Sequence, residues 1–180
     1  MRIIPLLLVW SLLLASCREV TYREPQPAGV KALESMPASL LGKYIIREDD
    51  GTKKDTLLIE SWGYQFKDSK DKDWLGRGAL SDSLVVKFYQ DYYFVNFKTD
   101  DQWALRLIRQ LPNGNIQFLS IRLERDDQGK AVIKRLSKKI KVKEIKRGDD
   151  TFYQINPTPA QLMTLIKEGF FTGDVLEKGK

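Results

Sequence analysis

Eight cations crowd one stretch of this 180-residue chain. Lys134, Arg135, Lys138, Lys139, Lys141, Lys143, Lys146 and Arg147 stand against Glu144 alone, while the whole chain carries a net charge of +6. The positive excess is therefore local. Lys139, Lys141 and Lys143 alternate with Ile140 and Val142. In a strand, that alternation puts three ammonium groups on one face and the apolar groups on the other. Such a face suits anionic lipid head groups, each lysine contributing about 1 kcal/mol near a charged leaflet. The plainer reading is a solvated outer face whose lysines discourage edge pairing.

Other residue types point to chemistry less strongly. Asp49-Asp50, Asp100-Asp101, Asp126-Asp127 and Asp149-Asp150 recur with Asp68, Asp71 and Asp73. Calcium needs about six to eight oxygen ligands, and no EF-hand spacing is present. The pairs fall in turn-like clusters, where Asp bonds its own backbone. No metal site is predicted. The chain has no histidine and one cysteine, Cys17. That removes the commonest general base, any disulfide and any thiolate cluster. No catalytic residue and no cofactor are predicted. The aromatics Trp62, Tyr64, Phe66, Phe88, Tyr89, Tyr92, Tyr93, Phe94, Phe97 and Trp103 either fill a core or line a cavity. Trp74, in the expected loop from Lys67 to Ser81, reads as a lid or an exposed contact. Gly76 and Gly78 follow no phosphate-loop pattern.

The elements that must position these groups are mostly strands. Expected strands are Gly42 to Arg47, Thr56 to Ser61, Tyr64 to Lys67, Leu84 to Tyr89, Tyr92 to Lys98, Trp103 to Leu111, Ile116 to Glu124, Ala131 to Leu136, Lys139 to Lys146 and Thr151 to Ile155. Turn residues separate them, which predicts antiparallel pairing. The clearest hairpin runs from Trp103 to Glu124 through Asn113-Gly114. Trp103, Leu105 and Leu107 share one face of it; Ala104, Arg106 and Ile108 share the other. Ile116 and Phe118 then oppose Leu119, Ile121 and Leu123, and a bulge near Phe118 is expected. One helix is signalled: Thr158 caps it, Pro159 opens it, Gln161 completes a capping box, and Gly169 ends it. Phe170 and Phe171 then tuck under the domain. The fold class is therefore mainly β: an antiparallel meander forming a barrel or a strongly curved sheet, with one C-terminal helix.

The N-terminus reads as a secretion signal. Arg2 is the positive n-region, Ile3 to Leu14 the apolar region, and Ala15-Ser16 the small residues before a cut. About a dozen apolar residues are too few to span a bilayer core of roughly 30 Å. Leu14-Ala15-Ser16-Cys17 resembles the lipobox of bacterial lipoprotein precursors. Pro25, Pro27 and Gly29, then Met36-Pro37 leading into Leu41-Gly42-Lys43-Tyr44, extend the likeness. From Cys17 to Tyr44 the chain resembles small Bacteroidota-type outer-membrane lipoproteins. The resemblance implies cleavage after Ser16, a diacylglycerol on the Cys17 sulfur, and acylation of the new terminus. Several buried acyl chains give stable anchoring. Arg18 is not the Asp of an inner-membrane retention signal, so the outer membrane is expected, on its periplasmic or its surface side.

The expected organisation is a lipoprotein signal peptide at 1–16, a lipid-anchored, proline-containing tether at 17–40, a β-rich domain with its C-terminal helix at 41–171, and a flexible tail at 172–180. The first functional expectation is a non-enzymatic envelope module. Its partners are the membrane through the N-terminal lipid, and anionic head groups or another envelope protein through the basic strand. Nucleic acid is excluded by compartment. The alternative is a small apolar-ligand carrier with a barrel cavity of about 300 Å³ or more. A third is a hydrolase, which needs two carboxylates across a cleft, about 5–10 Å apart.

Overall fold

The computed structural model describes residues 18–48, 50–67, 76–124 and 127–179. In chain order the elements are β1 (Arg18–Tyr22), β2 (Gly42–Arg47), β3 (Lys53–Glu60), β4 (Gly63–Phe66), β5 (Arg77–Ala79), β6 (Leu84–Tyr89), β7 (Tyr92–Thr99), β8 (Gln102–Gln110), β9 (Ile116–Ser120), α1 (Asp127–Ser137), β10 (Lys143–Arg147), β11 (Asp150–Ile155), α2 (Pro159–Lys167) and β12 (Thr172–Lys178). The protein is mainly β, as expected, with two helices rather than one.

One antiparallel path runs β6-β7-β8-β9-β12-β2-β3-β4-β5. A branch, β1-β11-β10, leaves from β8. The β1–β11 pair is parallel, so the sheet is mixed rather than a pure meander. β8 meets β9 at Leu107–Gln110 and β1 at Trp103–Ala104, so both strands share one of its sides.

The path curls strongly. β4 and β7 are six strand steps apart, about 29 Å in a flat sheet. Yet the Tyr64 and Phe97 rings lie 6.0 Å apart, edge to face. The ladder does not close among the described residues: β5 and β6 are not paired. The segment before β2 stitches the gap instead. Leu33 N donates to Val86 O at 2.8 Å, and Met36 N donates to Ser61 O at 2.9 Å.

Curling gives β8 two different faces. On one, Trp103, Leu105 and Leu107 pack with Phe94, Leu119, Leu136 of α1, Leu162 and Leu165 of α2, and Phe170. On the other, Ala104 and Ile108 join Tyr44, Leu57, Ile59, Tyr64, Val86, Val95 and Phe97 inside the curl. The hairpin's turn and faces form as expected, but its second strand ends at Ser120 rather than at Glu124. Its turn closes through Gly114 N to Leu111 O and Leu111 N to Asn115 O, each 2.9 Å. The expected bulge near Phe118 is absent. Pairing runs unbroken from Leu107↔Leu119 to Gln110↔Ile116, because simple alternation already separates Phe118 from Leu119. A register shift falls instead between Ile46 and Arg47.

α2 also forms as expected. Thr158 Oγ1 accepts from Gln161 N at 3.3 Å, and Gln161 Oε1 accepts from Thr158 N at 2.9 Å. Gly169, with φ +73°, takes the left-handed position that ends the helix, and Phe170 and Phe171 are buried.

Four expectations are corrected. Ala131 to Leu136, expected as a strand, lies in α1; Val132, Ile133 and Leu136 fall on one helical face and reach the first core. Lys139 to Lys146 is a strand only from Lys143. The expected tether opens with β1, held between β8 and β11. The expected flexible tail is β12, seated between β9 and β2. Gly173 is required there, since a Cβ would stand 1.8 Å from Phe118 O.

Candidate ligand site

The basic run does not form one face. Lys134 and Arg135 end α1, Lys138 and Lys139 follow it, Lys141 lies between elements, and Lys143, Lys146 and Arg147 are on β10. Lys139, Lys141 and Lys143 cannot align as predicted, because only Lys143 is in a strand. Several cations are already engaged. Lys139 Nζ donates to Glu168 at 2.7 Å, and Lys146 pairs with Glu144 at 3.5 Å. Arg147 bonds Asp100 at 3.0 Å and also Asp101. Its hydrogen bond holds the Asp101 carboxyl below the usual aspartate value. The Arg135 guanidinium lies 4.8 Å from the centroid of the Phe170 ring. Lys134, Lys138, Lys141 and Lys143 are exposed.

Asp50, Asp100, Asp101 and Asp149 lie at turns as expected, whereas Asp127 opens α1 and Asp150 opens β11. Asp100 and Asp101 face Arg147, Asp127 pairs with Lys130 at 3.0 Å, and Asp50 bonds Thr52. No group of three potential metal-ligating side chains occurs among the described residues. Cys17, Trp74, Asp49, Asp68, Asp71, Asp73 and Asp126 lie outside them.

The curled core, by contrast, is hollow. A cavity of about 270 Å³ lies among Ile59, Tyr64, Val95, Phe97, Ile108 and Phe118. A second hollow of about 180 Å³ shares Ile46, Leu57, Phe66 and Phe118 with it, and also borders Asp174 and Val175 of β12. The local cause is strand geometry. β12 pairs with β2 only at Ile45 and Tyr44, so the Ile46–Arg47 end of β2 has no partner there. The same end carries the register shift against β3. Arg47 and Glu177 form an ion pair of 3.0 Å beside this opening. Val175, 50% exposed, stands near it.

Among the described residues, three charged ones border the first cavity: Lys54, Asp55 and Arg106. Lys54 pairs with Glu48 at 3.3 Å. Arg106 Nη1 donates to Glu19 Oε1 at 2.8 Å and to Leu105 O at 3.0 Å. Both partners of this pair are more than four-fifths buried. The Arg106 Nε and Nη2 groups have no protein acceptor among the described residues. Guanidinium donors form strong, charge-assisted hydrogen bonds. The site can therefore hold an apolar body and orient one polar end of it.

The segment that stitches the curl is itself clamped. Lys87 Nζ donates to Pro25 O at 2.7 Å and Pro27 O at 2.9 Å. Burial pushes the Lys87 ammonium below its usual pKa, with Glu24 opposing. Asn96 Oδ1 accepts from Gln26 N at 2.7 Å, and Asn96 Nδ2 donates to Gln26 O at 2.9 Å. Sequence reasoning missed Glu19, Lys87, Asn96 and the role of Arg106. Only Arg106 carried a signal: it is a cation between Ala104 and Ile108 on an otherwise apolar strand face.

No protein-family model, no curated protein and no solved structure matches this chain.

Proposed function

We propose that this chain is a non-enzymatic, lipid-anchored binding module of the bacterial cell envelope that holds a small apolar ligand inside a partly opened β-barrel. The observation that carries the reading is the 270 Å³ apolar cavity. Well-packed cores leave few voids larger than a water molecule. A space of this size with few polar groups at its border has the usual anatomy of a small-molecule site. The lipid at Cys17 is supported by the Leu14-Ala15-Ser16-Cys17 sequence, and the outer membrane by Arg18. Two positions after Cys17, Glu19 holds Arg106 at the cavity. The anchor thus brings the site close to the membrane, where apolar ligands concentrate. The chain's lack of histidine and its single cysteine support a binding rather than a catalytic role.

The test is titration with the small uncharged, polarity-sensitive fluorophore 4-dimethylaminobenzonitrile. Saturable enhancement, abolished by Val95→Trp, is expected; no enhancement removes the cavity as a site. Cys17→Ser is expected to move the protein from the membrane to the soluble fraction, and unchanged fractionation refutes the anchor. A second reading retains the exposed Lys134, Lys138, Lys141 and Lys143 as a contact for anionic head groups, each contributing about 1 kcal/mol. Reversing Lys138 and Lys141 to glutamate tests it through sedimentation with anionic vesicles at low salt, where no loss ends it.

A further inference from the structure

We infer that the cavity selects a single-chain amphiphile with an uncharged head group, whose oxygen accepts a hydrogen bond from Arg106. This rests on the cavity being a ligand site and adds the chemistry of the ligand. The size limits the chain. At about 30 Å³ per water-sized group, 270 Å³ holds roughly nine non-hydrogen atoms. That fits one medium-length chain and not a pair of long ones.

The wall limits the head. Both cations at the border are already matched: Arg106 by Glu19 at 2.8 Å and Lys54 by Glu48 at 3.3 Å. Asp55, 7% exposed, adds a carboxylate whose Oδ1 accepts from Thr56 N. Among the described residues no unmatched cation is offered to an anionic head, and a head of either charge would lose hydration against the apolar wall. An ammonium head would face the Arg106 guanidinium. A hydroxyl, amide or ester oxygen needs neither charge. It meets the Arg106 Nε and Nη2 donors, which have no protein acceptor among the described residues, and satisfies them as a charge-assisted bond. The tail then runs along Val95, the cross-strand neighbour of Arg106, toward Phe97 and Tyr64.

Calorimetric titration of the full chain with nonanol, nonanoate and nonylammonium tests the assignment. Nonanol is expected to bind, with both charged homologues weaker by about tenfold or more. Binding of all three within twofold leaves the cavity as a site and overturns the uncharged head. Tighter binding of nonanoate overturns it also, and failure of all three removes the site and the inference together. Glu19→Gln supplies the second measurement. Removing that carboxylate unmatches Arg106, so the preference is expected to shift toward nonanoate by at least tenfold while the circular dichroism spectrum is kept. An unchanged preference in a folded variant shows that the Glu19–Arg106 pair does not read the head, and overturns the proposal.

Discussion

The two faces of β8 bury similar side chains yet solve packing differently. The face carrying Leu105 and Leu107 meets two helices and closes into a solid core. The face carrying Ala104 and Ile108 meets the curling sheet and the strap residues Met36 and Leu40 rather than the two helices, and leaves a cavity. Helices can slide and tilt until their side chains interdigitate with a sheet. A curled ladder has its radius set by strand number and register, so side chains that fall short of the centre leave space. The strand-end gap beside β12 extends that space. The solid side supplies stability, and the hollow side is the one proposed to bind.

The largest expected effect is on the solid side. Leu162, fully buried on α2, has nowhere to collapse if truncated. Leu162→Ala is expected to lower stability by about 2–5 kcal/mol, read from the urea midpoint. A loss well below about 1 kcal/mol would mean that this core is no better packed than the other.

Enlargement separates the two sides next. Leu105→Phe forces extra volume into the solid core and is expected to cost about 1–3 kcal/mol. Val95→Leu adds volume at the cavity wall, where space exists. It is expected to change stability by less than about 1 kcal/mol and to weaken binding of the fluorophore. Equal costs at the two positions would erase the comparison.

What the sequence revealed follows the range of the physics involved. α2 was legible because its cap, its first-position proline and its terminal glycine act within a few residues. The β8–β9 hairpin was legible because its partners are neighbours joined by a short turn. β1 and β12 were not, because their partners are remote: Arg18 pairs with Thr151 and Leu176 with Ile116. The alternation of Val20 and Tyr22 was present, but the prolines after it read as a linker. α1 was misread because Val132 and Ile133 favour strands when taken alone, while their helical spacing with Leu136 decides the outcome. The cavity had no local signature at all. It arises where six strand steps curl far enough to bring Tyr64 to Phe97.

The clamp on the strap, which lies on the Phe94 and Leu105 face of β6 and β7, is the next smaller test. Lys87→Met keeps the stem but takes the ammonium donor from the Pro25 and Pro27 carbonyls. The expected loss is about 1–3 kcal/mol, from a Pro25 carbonyl that loses its donor and a Pro27 carbonyl left with Val30 N, beside a strap that bridges β6. If the strap holds the curl in shape, the same variant weakens fluorophore binding. Intact binding at reduced stability would confine Lys87 to a packing role.

The smallest effect is expected at the exposed ion pairs between Arg147 of β10 and the Asp100-Asp101 turn that joins β7 to β8. Arg147 holds the Asp101 carboxyl below its ordinary value of 3.8 mainly through a hydrogen bond, with desolvation opposing. A depressed carboxylate favours the folded state above the unfolded value and loses that contribution as pH falls through the folded one. Any stabilisation from this pair is therefore present at neutral pH and disappears below about pH 4. Solvent screens so exposed a group, so its effect on global stability is small. Carboxyl-carbon NMR of Asp101 is expected to show a low titration midpoint that Arg147→Gln moves upward, with fluorophore affinity unchanged. If that variant altered the affinity, the β1-β11-β10 branch would be coupled to the hollow through Glu19 and Arg106, and the two faces of β8 could no longer be treated as independent.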